Sequence, residues 1–135
     1  MISHGLGGGT ERYIDEVSVF FQEGANFFRL TPSLNKQIHL SFPTWCGLPP
    51  FVFDPADNYA EFILLLRSIS LNLIHINHIK GYEFLVSRLL KELELPYIFT
   101  LHDYYLVSGN PVLTGSTGVH DAQIALDPQI RKKDF

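Results

Sequence analysis

The sequence predicts an α/β domain: an open, mostly parallel sheet with helices on both faces. Three observations carry that expectation. Short apolar segments alternate with helix-period patterns along the whole chain of 135 residues,. A glycine-rich turn, Gly5-Leu6-Gly7-Gly8-Gly9, joins the first short apolar segment to the first helical pattern,. A continuous apolar run from Tyr97 to Leu101 stops at His102-Asp103, as a parallel strand covered on both faces stops at its carboxyl end,.

Each element follows from local chemistry. Ile2 to His4 suits the remnant of a first strand, although a buried strand ordinarily needs about five apolar residues,. Thr10 suits an N-cap, with Glu11 well placed in the first turn of the helix,. From Glu11 to Glu23, Ile14, Val17, Phe20 and Phe21 recur at helical spacing, and Gly24 ends the pattern,. Asn26 to Thr31 predicts a strand stopped by Pro32. Gln37 to Phe42 predicts another, with Ile38, Leu40 and Phe42 on one face,. Pro43 to Pro50 is a turn-rich connection. Phe51-Val52-Phe53 suits either an exposed patch or a buried short strand, and the buried strand is favoured. Asn58 with Glu61 resembles a capping box ahead of a helix from Tyr59 to Ile69,. Asn72 to Ile79 predicts a strand. Tyr82, Val86, Leu89, Leu90 and Leu93 form one helical face, and Pro96 leads into the final strand,. The alternation defines a Rossmann-like sheet in a single domain spanning residues 1–135, read as a piece of a longer protein.

Composition narrows the function. The chain is 46% hydrophobic and 18% charged, enough apolar material for a core and too little charge for disorder,. Its net charge of −4, without a basic patch, argues against a nucleic-acid partner,. Cys46 is the single cysteine, so no intrachain disulfide forms,. No apolar run approaches the roughly 18 residues of a membrane span, and the N-terminus lacks a secretory signal pattern.

In such a sheet the turns after the first strand, after the strand ending at His78, and after the strand ending at His102 should meet in one crevice. Gly7, Gly8 and Gly9 let a ligand approach the backbone, and the following helix offers its first N–H groups. The alternative is a tight strand-to-helix turn with no ligand. A nicotinamide dinucleotide site fits poorly: Thr10 stands where the fingerprint places its third glycine, and no acidic residue follows Leu30-Thr31,. A phosphate-binding P-loop lacks its Gly-Lys-Ser/Thr. His102 at a strand end can donate a hydrogen bond or carry a proton, or it can cap the loop. His78 is a weaker candidate of the same kind, and His75 is assigned a structural role. His78, His102 and Asp103 match no metal-site spacing, so no metal is expected. Tyr104 and Tyr105 suit either stacking on a sugar or loop packing.

Taken together, SHGLGGGTERYIDE, NLIHINHIKGY and LPYIFTLHDYYLVSGNP resemble the N-terminal domain of the family 4 glycosyltransferases. These are retaining enzymes of the two-domain GT-B fold. The likeness runs from Ile2 to about Thr114. It implies that this domain receives the acceptor, while a C-terminal domain holds a nucleotide-sugar donor. It implies that Gly7, Gly8, Gly9 and Thr10, with His78 and Tyr104, lie near donor and acceptor. His102 looks like the family's cleft histidine, and Asp103 matches the residue after it; both are the catalytic candidates. No cofactor is implied beyond the nucleotide-sugar substrate. Two features depart from the pattern. The family's Glu-x7-Glu donor grip would lie beyond Phe135. Val107-Ser108-Gly109-Asn110-Pro111 stands where a Cys-Pro is common.

The expected function is therefore the acceptor-side domain of a retaining glycosyltransferase acting on a glycan or lipid-linked acceptor. The expected location is the cytoplasm, with peripheral attachment to the inner face of the membrane left open. The alternative is a stand-alone Rossmann-type module that binds a nucleotide or sugar without chemistry. A third reading is an interaction domain that keeps only the fold.

Overall fold

The computed structural model describes residues 1–33, 35–43, 46–81 and 83–103. The chain divides into two units, Met1–Thr100 and Leu101–Phe135. Within the first unit the order is α1 (Gly9–Phe20), β1 (Arg29–Pro32), β2 (Ile38–Ser41), β3 (Phe51–Phe53), α2 (Tyr59–Ser68), β4 (Ile74–Ile76), α3 (Glu83–Leu93) and β5 (Tyr97–Phe99). In the second unit, Leu101 is exposed and His102 and Asp103 are half-buried.

The architecture is mixed α/β. Strands β1, β2 and β3 form an antiparallel sheet, with Leu30 opposite Leu40 and Ile38 opposite Phe53. Strands β4 and β5 form a parallel pair, with Ile76 opposite Phe99. The described pairing thus departs from a mostly parallel sheet. The cause is local: β1 reaches β2 through a short turn in which the Ser33 N–H donates to the Gln37 carbonyl at 2.7 Å. So short a connection permits only antiparallel pairing, whereas parallel strands need a crossover.

Ile2 links the two sheets. It makes isolated parallel bridges to Leu30 on one side and Ile76 on the other. Its N–H donates to the His75 carbonyl at 2.8 Å, and its carbonyl accepts from the Asn77 N–H at 2.8 Å. On the other edge, the Leu30 N–H donates to the Met1 carbonyl at 2.8 Å and the Ser3 N–H to the Leu30 carbonyl at 3.1 Å. The expected first strand is therefore present as a pairing centred on one buried residue.

Strand alternation sorts the side chains of β4. Ile74 and Ile76 enter an apolar cluster with Ile38, Leu40 and Phe53 of the antiparallel sheet, Phe62, Ile63 and Leu66 of α2, and Leu85, Val86 and Leu89 of α3,. Phe53 and Phe62 stack at 3.7 Å between ring centroids. His75 points the other way, edge-on to Tyr13 of α1 at 6.0 Å. It also pairs through Nε2 with the Thr100 hydroxyl at 2.8 Å, which accords with the structural role assigned to it.

Several local expectations are corrected. Thr10 does not cap α1; Gly8 occupies the N-cap position without a side-chain cap, and the Arg12 N–H closes the first turn on the Gly8 carbonyl at 3.2 Å. Gly8 adopts φ 79° and ψ −158°, a region essentially reserved to glycine, so the helix begins before Thr10,. The Asn58 side chain likewise makes no capping bond. The turn before α2 is held instead by Asp54, whose carboxylate accepts from the Ala56 N–H at 2.8 Å and whose carbonyl accepts from the Asn58 N–H at 2.9 Å. In β3 only Phe53 is buried, while Phe51 and Val52 stay exposed. Strand β5 is not covered on both faces: Tyr97, Ile98 and Phe99 are 59%, 50% and 36% exposed. Among the described strands β5 pairs only with β4, which leaves it an edge. Tyr82 lies outside the described residues.

Candidate functional site

The Ile2 segment and β4 run side by side and leave the sheet at the same end. The Asn77 and His78 N–H groups both point to the Ile2 carbonyl, at 2.8 and 3.3 Å. From there the chain diverges. The Ile2 segment crosses through α1 to β1 on one side, and β4 crosses through α3 to β5 on the other. Open α/β sheets bind ligands where the winding reverses in this way, outside the carboxyl ends of the strands.

Two histidines mark the place. The rings of His4 and His78 lie 4.5 Å apart, tilted by 58°. The Nδ1 of His4 accepts the Leu6 N–H at 2.9 Å, and the Nδ1 of His78 accepts the Lys80 N–H at 3.0 Å. A ring nitrogen that accepts carries no proton, so Nδ1 is the acceptor in both rings,. His78 is buried, as are the neighbouring Ser3 and Asn77.

The glycine turn forms the exposed side. Gly7 and Gly8 have φ of 82° and 79°, and a Cβ added at either would meet nothing within 4 Å. The turn therefore needs glycine for its backbone path, and it leaves that backbone open to solvent. Gly9 differs: it opens α1 without a positive φ and also faces open space. The first N–H groups of α1 have no carbonyl one turn back, so this end favours oxyanions and hydroxyl oxygens.

An ion cluster braces the turn. One Glu11 carboxylate oxygen accepts the Gly5 N–H at 3.2 Å and lies 3.7 Å from Nδ1 of His4. The other receives an Arg29 N–H at 3.4 Å, and Arg29 also pairs with Asp15. The Glu11 side chain is 15% exposed, so this charge is largely shielded from solvent screening,. Nearby, the Met1 amine is pushed down to about 5, first by burial and then by the Arg29 charge.

His78 thus stands ring to ring with His4, whose Nδ1 accepts the Leu6 N–H in the glycine-rich turn. Thr10 is buried, unlike the exposed glycines before it. His102 and Asp103 open the second unit, and Tyr104 lies outside the described residues. Among the described residues, no group of three or more His, Cys, Asp or Glu is placed to hold a metal ion. Sequence reasoning passed over His4, Glu11 and Arg29. A signal for His4 was present: Ile2-Ser3-His4 and Ile76-Asn77-His78 share one pattern, apolar residue, spacer and histidine. Two neighbouring parallel segments with that pattern must present both histidines at the same level.

No family model matches the chain, and neither a curated protein nor a solved structure does.

Proposed function

We propose that this chain is the acceptor-side domain of a retaining glycosyltransferase of the GT-B type. The observation that carries the reading is the reversal of winding between Ile2 and β4, which sets the paired histidines beside an open glycine turn. On this reading the two sheets joined at Ile2 are one half-fold of Rossmann type. The crevice receives hydroxyl and phosphate oxygens, the bare backbone of Gly7, Gly8 and Gly9 admitting a sugar or a diphosphate,. The resemblance assigns the catalytic part to His102 and Asp103, with His102 against the transferred sugar. A donor domain completes the cleft and neutralises the phosphates with basic residues, without a metal. In the reaction the bond from the anomeric carbon to the diphosphate oxygen breaks. A bond to the acceptor oxygen forms on the same face, and the acceptor proton passes to the departing diphosphate oxygen.

The test is made on the native polypeptide that contains this segment. It is supplied with nucleotide-sugar donors and glycan or lipid-linked acceptors. Nucleoside diphosphate release and the anomeric configuration of the product are then measured. Release with retention is expected in the wild type, with a loss of about 10²-fold in Gly8→Val, which misplaces the turn, and a comparable loss in His102→Ala. Ligand binding without release would support the stand-alone binding module instead. Wild-type turnover in both variants would remove these residues from the site.

A further inference from the structure

We infer that the cavity between α1 and the β4–β5 pair is a second binding site, and that it takes an uncharged molecule: a hydrocarbon chain with a hydroxyl at one end. The cavity measures about 890 Å³, and its described lining belongs to the first unit alone. That volume falls within the range of roughly 300–1,000 Å³ found for small-molecule sites. The fold sets its place. His75 of β4 and Ile98 of β5 stand opposite each other, so both side chains leave the sheet on the face that α1 covers,. Helix α1 buries only Thr10 and Ile14 there, and further along it Val17 and Phe21 line a gap instead of closing it. Leu73 and Leu93 extend the apolar wall. Phe21, Leu73 and Ile98 each stay close to half exposed, which leaves apolar area for a hydrocarbon chain to remove from water,. Charge decides what kind of molecule fits. Among the described lining residues there is no Lys, Arg or Asp, and the one carboxylate, Glu23, is exposed to solvent. The Met1 amine, pushed down to about 5, is uncharged at neutral pH. A carboxylate or phosphate drawn inside would lose its water and gain no countercharge. One polar group suits a ligand hydroxyl. The Thr100 hydroxyl meets Nε2 of His75 at 2.8 Å, and a hydroxyl has one donor and two acceptor positions, so Thr100 keeps capacity for a further bond,. The cavity lies toward the start of β4, away from His78 and the glycine turn, and the inference stands apart from the transferase reading.

The test titrates 1-octanol into the native polypeptide, with its isoleucine and valine methyl groups isotope-labelled. The Val17 and Ile98 methyl signals should shift saturably. Hexanol should bind roughly 15-fold more weakly, at about four-fold for each methylene. Octanoate, the same chain with a charged end, should bind about 10-fold more weakly or worse. Ile98→Trp fills the cavity from the sheet and Val17→Trp fills it from α1. Each should weaken octanol binding by about 10-fold while the amide spectrum stays folded, and variants on two elements keep the result readable if one fails to fold. Phe84→Ala removes an exposed ring outside the cavity and should leave the affinity unchanged. Absence of saturable octanol binding overturns the inference. So does binding that moves neither methyl signal or survives both filled variants. Equal affinity for octanol and octanoate overturns the uncharged class. Val17 and Ile98 signals that move on dilution without alcohol would seat a second copy of the chain in the cavity and overturn it as well. A polypeptide that transfers no sugar overturns the proposed function and leaves each of these readouts intact.

Discussion

The two faces of β4 divide the labour of the molecule. On one, Ile74 and Ile76 join an apolar cluster with α2 and α3. On the other, α1 buries only Thr10 and Ile14, and Tyr13, Glu11 and Asp15 make directed contacts to His75 and Arg29. The first face is held by area, which is non-directional and tolerant of shape. The second is held by a few directed bonds, which lose their value over fractions of an ångström. A residue on the first face should therefore matter to stability, and one on the second to geometry.

The largest effect should come from the apolar face. Phe62 is fully buried against Phe53, so Phe62→Ala should cost about 3–5 kcal/mol, read as a lowered urea midpoint,. A loss below about 1 kcal/mol would mean that the cluster collapses around the gap. Next comes Gly8→Ala, which forces a Cβ into a backbone region essentially reserved to glycine; about 1–3 kcal/mol should be lost,. Gly9→Ala, one residue on, should be neutral or stabilise by up to about 1 kcal/mol, since its backbone is unstrained and its surroundings open,. Equal effects at the two glycines would show that the turn is not locked. The smallest effect concerns a polar group on the apolar face, the Tyr59 hydroxyl. The buried Tyr59 hydroxyl meets no partner at ordinary hydrogen-bond geometry. Its pKa is pushed up to about 12, first by burial and then by the negative charge of Glu92. An acid whose pKa is raised on folding contributes stability that is complete below its unfolded value near 10 and is lost as pH rises through about 12,. Tyr59→Phe should flatten that alkaline decline and leave neutral stability within about 0.5 kcal/mol. A decline of undiminished steepness in the variant would assign it to another group.

The sequence announced the apolar face more fully than the polar one. Ile38, Leu40, Val86 and Leu89 follow strand or helix periods that depend only on near neighbours, and each is found buried. Gln37 to Phe42 was legible as a strand, yet its direction was set by the length of the turn before it rather than by any side chain. The cap of α1 was misplaced because Gly8 reaches a backbone conformation closed to threonine, which no propensity for Thr10 expresses. The exposure of β5 was invisible because an apolar run such as Tyr97-Ile98-Phe99 implies a cover without naming it. His78 was singled out by the expected winding of the sheet. His4 and Arg29 were missed because their partners, His78 and Glu11, are remote in sequence, and pairing across a sheet edge leaves no local period.

The bridge at Ile2 has a consequence for the time course of folding. Strands β1, β2 and β3 lie within residues 29–53, and α2 through β5 within residues 59–99, so each half can assemble from contacts close in sequence. The join between them ties residue 2 to residues 30 and 76, and its loop-closure entropy falls on a single buried isoleucine,. Closure of that seam is thus the expected final event. Only when it closes do His4 and His78 come within a ring's width of each other, so a partly folded chain holds its core before it holds its crevice.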